Sequence, residues 1–139
     1  MSRKTAREHA FRLLFSTQFQ NESVDTMLER YLEANPGVEP EEKDLNFIRT
    51  EVAGTLQHQQ EINKEIEGAL QDWKLSRLSH VDLAILQITV YEMRYEEEIP
   101  VSVSINEAVE LAKKYSSDAA PAFINGVLGT IAGRPEDEK

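Results

Sequence analysis

Apolar residues recur every three or four positions along most of the chain, which is the spacing of one face of an α-helix. In the first segment Ala6, Ala10 and Leu13 fall on one side, and Phe15 widens that apolar face. The stretch VSVS at 101–104 alternates like a strand, but it is too short and isolated to build a sheet. The pattern therefore predicts an all-α fold.

Capping and helix-breaking residues divide the first half of this pattern into separate helices. Ser23 is a suitable N-cap for a helix over 24–34, which the Asn-Pro-Gly turn at 35–37 would end. Pro40 suits the first turn of the next helix. A further break is expected near 58–60.

Similar signals mark the second half of the chain. Ser79 and Asp82 form an S-x-x-D helix start ahead of the most apolar segment, which we expect to be the central helix. Ser104 and Glu107 form an S-x-x-E capping box before another helix, and Pro121 begins the last one. The segments together predict a compact bundle of about six or seven helices.

The composition fits one globular domain over residues 1–139. Hydrophobic residues make up 40% and charged residues 29%, which are ordinary values for such a domain. The chain has no Cys, which excludes disulfides, Cys-ligated zinc and thiol chemistry. His9, His58 and His80 lack the spacing of metal ligands, so we expect neither a metal ion nor another cofactor.

The sequence has the features of neither a membrane protein nor a secreted one. No apolar run approaches the roughly 18 residues that a spanning helix needs. Arg7, Glu8 and Arg12 interrupt the apolar stretch that a secretory signal would require. We therefore expect a soluble cytoplasmic protein.

Motifs typical of catalysis do not stand out in the sequence. No nucleophile elbow, phosphate-binding loop or kinase signature is present. Gly126, Gly129 and Gly133 lie along one helix face, which favours close helix packing over phosphate binding. The acidic run at 96–98 is typical of a solvated helix end. We therefore expect a protein that is not an enzyme.

Positive charge is concentrated at the start of an acidic chain. The formal net charge is -10, yet Arg3, Lys4, Arg7 and Arg12 all fall within the first segment. Arg3, Lys4 and Arg7 share about a third of the helix circumference, so we expect one exposed basic face. The helix macrodipole slightly disfavours cations at this end. The cluster fits either a contact with RNA phosphates or a solvated helix start, and the residues alone leave both open.

Three segments of the sequence resemble the NusB family of transcription antitermination factors. They are TAREHAFRLLF at 5–15, RLSHVDLAILQITVYEM at 77–93, and IPVSVSINEAVELAKKYSSDAAPAFINGVL at 99–128. The resemblance implies an all-helical RNA-binding protein of two packed helical subdomains. It also implies binding to boxA RNA together with NusE, a small-subunit ribosomal protein. That assembly would help RNA polymerase read through termination, notably in ribosomal RNA operons.

The resemblance also implies which residues contact the RNA. Arg3, Lys4 and Arg7 match the arginine-rich start of the family and would contact phosphates. Phe15 matches an aromatic position beside the RNA surface, and Phe123 matches the aromatic that would stack on or flank a base. Both phenylalanines also lie at core spacing, so packing in the interior is the alternative for each ring.

The resemblance places Asp82 on the helix that faces NusE. A carboxylate in the first turn of a helix also caps it, so a purely structural role is the alternative. The chain departs from the family pattern at four positions: Gln87 and Ala122 replace basic residues, and Ala119 and Gly129 replace acidic ones. These departures bear on the RNA contacts near the last helix rather than on the family.

A helical protein-protein adaptor without direct RNA binding is the alternative function. The basic start of the chain distinguishes the two, because an adaptor has no need of it. Salt-sensitive RNA binding would decide between them.

Overall fold

The computed structural model describes residues 1–71 and 74–134. This part of the chain contains seven α-helices and a short 3-10 helix at Leu75–Arg77. The α-helices are α1 (Arg3–Thr17), α2 (Val24–Ala34), α3 (Glu42–Gln57), α4 (Gln59–Ala69), α5 (His80–Tyr95), α6 (Val101–Tyr115) and α7 (Ala120–Ala132). The described residues include no strand. The all-α prediction and the expected number of helices are therefore confirmed.

The chain divides into two compact units, the first ending at Gln57 and the second beginning at His58. In the first unit, α1 and α2 both pack against α3. Its buried apolar side chains come from all three helices: Ala6, Ala10, Phe11, Leu13, Leu14, Met27, Leu28, Ile48 and Val52. Phe15, which the sequence pattern placed on the same face, is only half-buried.

Serine side chains cap three helices at their N-termini. Ser2 accepts a hydrogen bond from the Thr5 amide and begins α1. Ser23 caps α2 and Ser79 caps α5 in the same way, which confirms the two sequence predictions. Each such cap satisfies a backbone N–H that has no partner within the helix, and its loss typically costs about 0.5–2 kcal/mol.

The capping box predicted at Ser104 and Glu107 is wrong. The helix begins one turn earlier, at Val101, with Pro100 in the N-cap position. Ser104 lies inside α6, is 1% exposed, and donates a hydrogen bond to Glu92 Oε1 at 2.9 Å. The Ser104 hydroxyl is therefore bonded to a buried carboxylate of another helix and does not cap α6. The VSVS stretch forms the first turn of α6 rather than a strand.

The second unit is built around α5, which contacts α4, α6 and α7. Every residue from 84 to 92 is buried, so α5 has neighbours on several sides. This confirms the prediction that the most apolar segment is central. The break expected near 58–60 is also confirmed, because α3 ends at Gln57 and α4 begins at Gln59.

Arg94, near the end of α5, joins three helices of the second unit. Its guanidinium forms an ion pair with Glu65 of α4 at 2.8 Å, and both side chains are 8% exposed. The same guanidinium donates hydrogen bonds to the carbonyls of Ile131, in the last turn of α7, and Arg134, just after that helix. Arg134 in turn donates to the Gly68 carbonyl at 2.7 Å. These contacts hold α7, the helix that carries Phe123, against α4 and α5.

Candidate nucleic-acid interface

The basic cluster at the start of α1 is only partly exposed. Arg3 and Lys4 are exposed, whereas Arg7 is 5% exposed. The expectation of a single exposed face is therefore wrong for Arg7. The reason is its place on the helix, because it lies between Ala6 and Ala10, which are both buried.

Phe47 of α3 forms a platform beneath this cluster. The guanidinium carbon of Arg3 lies 4.1 Å from the centre of the Phe47 ring, and that of Arg7 lies 5.9 Å from it. Cations at these distances are attracted to the ring face. The ring therefore restrains Arg3 while the residue stays exposed. No local signal in the sequence marks Phe47, because this contact joins α1 to a helix about 40 residues away.

A carboxylate lies beside the same end of α1. Asp44 Oδ2 is 3.4 Å from the Met1 ammonium and accepts a hydrogen bond from the Glu41 amide at 2.9 Å. The Glu41 hydrogen bond, more than the nearby ammonium, lowers the pKa of the Asp44 carboxyl below its usual range. Asp44 therefore holds Met1 in place and locally offsets the positive charge of the Met1 ammonium.

Phe15 lies toward the end of α1 and is half-buried. Its ring packs edge to face with that of Phe19, with the ring centres 5.3 Å apart and the planes at 62°. Phe19 is 58% exposed, which is unusual for a large apolar side chain. The pair offers an aromatic surface of the kind on which unpaired bases stack. The sequence pattern does not single out Phe19, and only its exposure in the structure identifies it.

Phe123 and Asp82 line the same groove in the second unit. The groove has a volume of about 230 Å³, and its lining residues come from the 3-10 helix and the starts of α5 and α7: Arg77, Leu78, Ser79, Asp82, Ser117, Ala119, Ala120 and Phe123. The family resemblance implies that Phe123 contacts RNA and that Asp82 contacts a protein partner. The structure brings the two side chains together.

Asp82 is held on one side by a serine that follows α6. Its Oδ1 accepts a hydrogen bond from the Ser116 hydroxyl at 2.6 Å. The Asp82 amide donates to Ser79 Oγ at 3.0 Å, so Ser79 supplies the helix cap. The Asp82 carboxylate is directed to Ser116 and the groove, and within the described chain it caps no backbone amide.

A second groove lies against Phe123. It has a volume of about 430 Å³ and is lined by Ala69, Leu70, Gln71, Ala122, Phe123, Gly126, Val127 and Thr130. Phe123 is half-buried and forms a wall of both grooves. An aromatic ring in this position can stack on a planar group in either groove.

The four departures from the family pattern fall in different environments. Gln87 is 2% exposed and donates to Asn63 Oδ1 at 2.9 Å, so it belongs to the interior rather than to a charged surface. Ala119 and Ala122 each line one of the two grooves beside Phe123. Gly129 is exposed on α7. The two alanines are therefore the departures that change the surroundings of Phe123.

Residues 1–71 and 74–134 form neither a metal-binding cluster nor a membrane-spanning helix. This part of the chain holds no group of three or more His, Asp or Glu side chains that could bind a metal ion. None of its helices is both long enough and apolar enough to cross a membrane.

Comparison with known proteins relates nearly the full length of the chain to one family. Residues 4–133 match the model of the NusB family. A transcription antitermination protein NusB from Clostridium novyi is 45% identical over 131 residues, which cover 94% of this chain and 98% of that protein. The solved structure of T. maritima NusB is 31% identical and superposes with a TM-score of 0.87, covering 99% of this chain and 96% of that one.

A second solved structure contains partner molecules. It is a crystal structure of the antitermination factors NusB and NusE in complex with double-stranded RNA. Its matching chain is 26% identical, with a TM-score of 0.83 over 94% of this chain and 95% of that one.

Proposed function

Because the chain belongs to the NusB family, we propose that it is a transcription antitermination factor that binds boxA-type single-stranded RNA together with NusE. The observation that carries this proposal is the 45% identity, over 94% of the chain, to a transcription antitermination protein NusB. The geometry supports it through exposed cations beside an aromatic platform and through a half-buried aromatic ring between two grooves. The two units would act as one RNA-binding domain over residues 1–139.

We propose that Arg3 and Lys4 contact RNA phosphates. Both are exposed, and Arg3 is restrained by Phe47, which lowers the entropy lost when it binds. Arg7 is 5% exposed, so we leave it out of the proposed phosphate contacts, and the salt dependence of binding tests whether it reaches the RNA. Phe15 and Phe123 are the proposed stacking residues, since each ring is half-buried and each adjoins an exposed surface.

The charge of the chain favours a basic partner. With a formal net charge of -10, the chain repels RNA at long range, and two exposed cations are few for tight binding. Ribosomal proteins are generally basic, so NusE would suit both the acidic surface of the chain and the RNA. We therefore propose that NusE completes the RNA-binding surface. A contact between Asp82 and NusE stays a prediction.

The wider role follows from membership in the family. We propose that the protein acts in the cytoplasm within an antitermination complex of RNA polymerase and supports read-through, notably in ribosomal RNA operons. The proposal includes no catalytic activity and no cofactor.

A binding experiment separates this function from that of a protein adaptor. Fluorescently labelled boxA RNA and a scrambled RNA of the same composition are titrated with the full chain and equimolar NusE. We expect tighter binding of boxA RNA and an affinity that falls with salt. NusE binding without any RNA binding would instead support a helical adaptor.

A further inference from the structure

Arg12 of α1 carries a positive charge that the proposed phosphate contacts leave unused. We infer that Arg12 binds a further phosphate of the RNA, and that Phe19 stacks on the base beside that phosphate. The family resemblance assigns neither residue. Both contacts rest on the proposed RNA-binding function and extend the site from the start of α1 to the end of that helix.

The Tyr31 ring of α2 holds the Arg12 side chain in place. The guanidinium carbon of Arg12 lies 5.3 Å from the centre of that ring, and Arg12 is half-buried. A cation at this distance is attracted to the ring face, so the side chain loses less conformational freedom when it binds a ligand. Arg3 is held in the same way on Phe47. Two arginines of α1 are therefore positioned by aromatic rings of two other helices.

Tyr31 is itself fixed by its neighbours. Its hydroxyl forms a hydrogen bond with His9 Nδ1, and the two rings pack edge to face with their centres 5.6 Å apart and their planes at 72°. The Asn35 side chain donates a hydrogen bond to the Tyr31 carbonyl at 2.8 Å. The ring that supports Arg12 is therefore positioned before any RNA binds.

The charge of Arg12 is not neutralised by a carboxylate. Within residues 1–71 and 74–134, neither Arg12 nor Lys4 forms an ion pair. Arg49 of the same unit differs, because it pairs with Asp25 at 2.7 Å. The guanidinium of Arg12 therefore keeps its N–H donors for an incoming ligand, and phosphate oxygens suit the planar fork of an arginine.

Arg12 and Lys4 lie on the same side of α1. An α-helix turns by about 100° per residue, so Lys4, Glu8, Arg12 and Phe15 fall within about 80° of its circumference. Lys4 and Arg12 are about 12 Å apart along the helix axis. Glu8 lies between them and repels phosphates, so we expect phosphate contacts at the two ends of this side. An RNA strand that runs along α1 can meet both cations.

Phe19 follows the end of α1 and lies beside Phe15. Its amide donates to the Ser16 carbonyl at 3.1 Å, and its ring packs edge to face with that of Phe15. Phe19 is 58% exposed, so its ring can stack on an unpaired base. An acidic protein segment would also pair with Arg12, but it offers no planar group for Phe19. A cation together with an exposed ring therefore favours a nucleotide as the ligand.

The salt dependence of RNA binding tests the phosphate contact on the full chain with equimolar NusE. Affinity for labelled boxA RNA is measured by fluorescence anisotropy. Arg12→Gln should lower the salt slope by about 0.7, so the loss of affinity between 50 and 200 mM salt becomes roughly 2.6-fold smaller. Arg12→Lys keeps the charge and should keep the slope. Arg49→Gln is the matched control, because Arg49 is already paired with Asp25, and it should leave the slope unchanged.

Variants that remove a ring without removing a charge test the stacking and the positioning. Phe19→Ala should weaken RNA binding at least roughly fivefold at every salt concentration, as loss of a stacked base does, and leave the slope unchanged. Phe19→Trp should keep the affinity. Tyr31→Leu should weaken binding with the slope retained, because Arg12 keeps its charge but loses its support. Val103→Ala removes an apolar side chain that is 41% exposed in the second unit and should leave the affinity unchanged. A thermal melt of each variant shows whether the fold is intact.

The outcomes distinguish these contacts from the function on which they rest. RNA binding with an unchanged salt slope in Arg12→Gln overturns the phosphate contact and leaves the proposed function standing. Full affinity in Phe19→Ala overturns the stacking. An unchanged RNA slope together with weaker binding of poly-glutamate by Arg12→Gln assigns Arg12 to an acidic protein partner instead. Failure of the unaltered chain to bind any RNA, with or without NusE, overturns the proposed function itself.

Discussion

Neutralising Arg3 and Lys4 should flatten the salt dependence of RNA binding by an amount that the structure sets. Each cation that contacts a phosphate of single-stranded RNA contributes about 0.7 to the slope of log affinity against log salt concentration. Arg3 and Lys4 are exposed and Arg7 is buried, so the double variant Arg3→Gln, Lys4→Gln should lose about 1.4. A cluster of three exposed cations would instead predict a loss of about 2.1 for the triple variant.

The assay is a titration of labelled boxA RNA at four or five salt concentrations. A control variant, Arg30→Gln with Lys113→Gln, removes the same charge from exposed ion pairs elsewhere and should leave the slope nearly unchanged. Adding Arg7→Gln to the double variant should lower stability without flattening the slope further. A further loss of about 0.7 would show that Arg7 reaches the RNA. An unchanged slope in the double variant would refute the proposed contact at the start of α1.

Three further predictions concern Phe123, the Arg94 ion pair and Asp44. Phe123→Ala should cost roughly 1–3 kcal/mol of RNA affinity. Loss of a fully buried ring typically costs roughly 3–5 kcal/mol of stability. Because the Phe123 ring is half-buried, urea denaturation should show a smaller loss than that. Arg94→Met should lower the free energy of unfolding by about 3–5 kcal/mol, because it leaves the Glu65 carboxylate buried without its cation. The double variant Arg94→Met, Glu65→Gln should recover part of that loss. The lowered pKa of Asp44 means that its contribution to stability is present above its unfolded pKa near 3.8 and is lost as the pH falls through its folded pKa. Asp44→Asn should therefore make acid unfolding less steep, and an identical pH profile would contradict this.

Local signals in the sequence predicted most of the helices. Ser23 and Ser79 cap α2 and α5 as expected, because an N-cap depends on residues only three positions apart. The central place of α5 was also predictable, since a helix that is apolar on all sides requires neighbours on all sides. These features depend on spacing, which is readable without knowledge of the tertiary contacts.

The errors arose where a distant residue decides the outcome. Ser104 looked like a cap, but its hydroxyl bonds to Glu92, twelve positions away on another helix. Arg7 looked exposed by its charge, yet it is 5% exposed, because its side of α1 packs against α3, where the Phe47 ring lies 5.9 Å from the guanidinium carbon. The long carbon stem of arginine makes such burial possible. Neither outcome has a signature in the neighbouring sequence.

The sequence predicted individual residues of the candidate site, but not which of them lie together. Phe123 and Asp82 were each singled out, and only the packing of α5 with α7 places them in one groove. Phe47 and Phe19 were missed, because their relevance comes from a ring contact and from exposure. A helical pattern predicts which residues face inward, but not which helix they meet.

The most direct test of the account is a thermodynamic cycle of the chain, boxA RNA and NusE. Isothermal titration measures the affinity of the chain for RNA with and without saturating NusE, and for NusE with and without RNA. The account predicts that NusE tightens RNA binding and that RNA tightens the protein pair by the same factor, because linkage is reciprocal. Equal RNA affinity with and without NusE would contradict it, and would mean that the chain alone forms the complete RNA-binding surface.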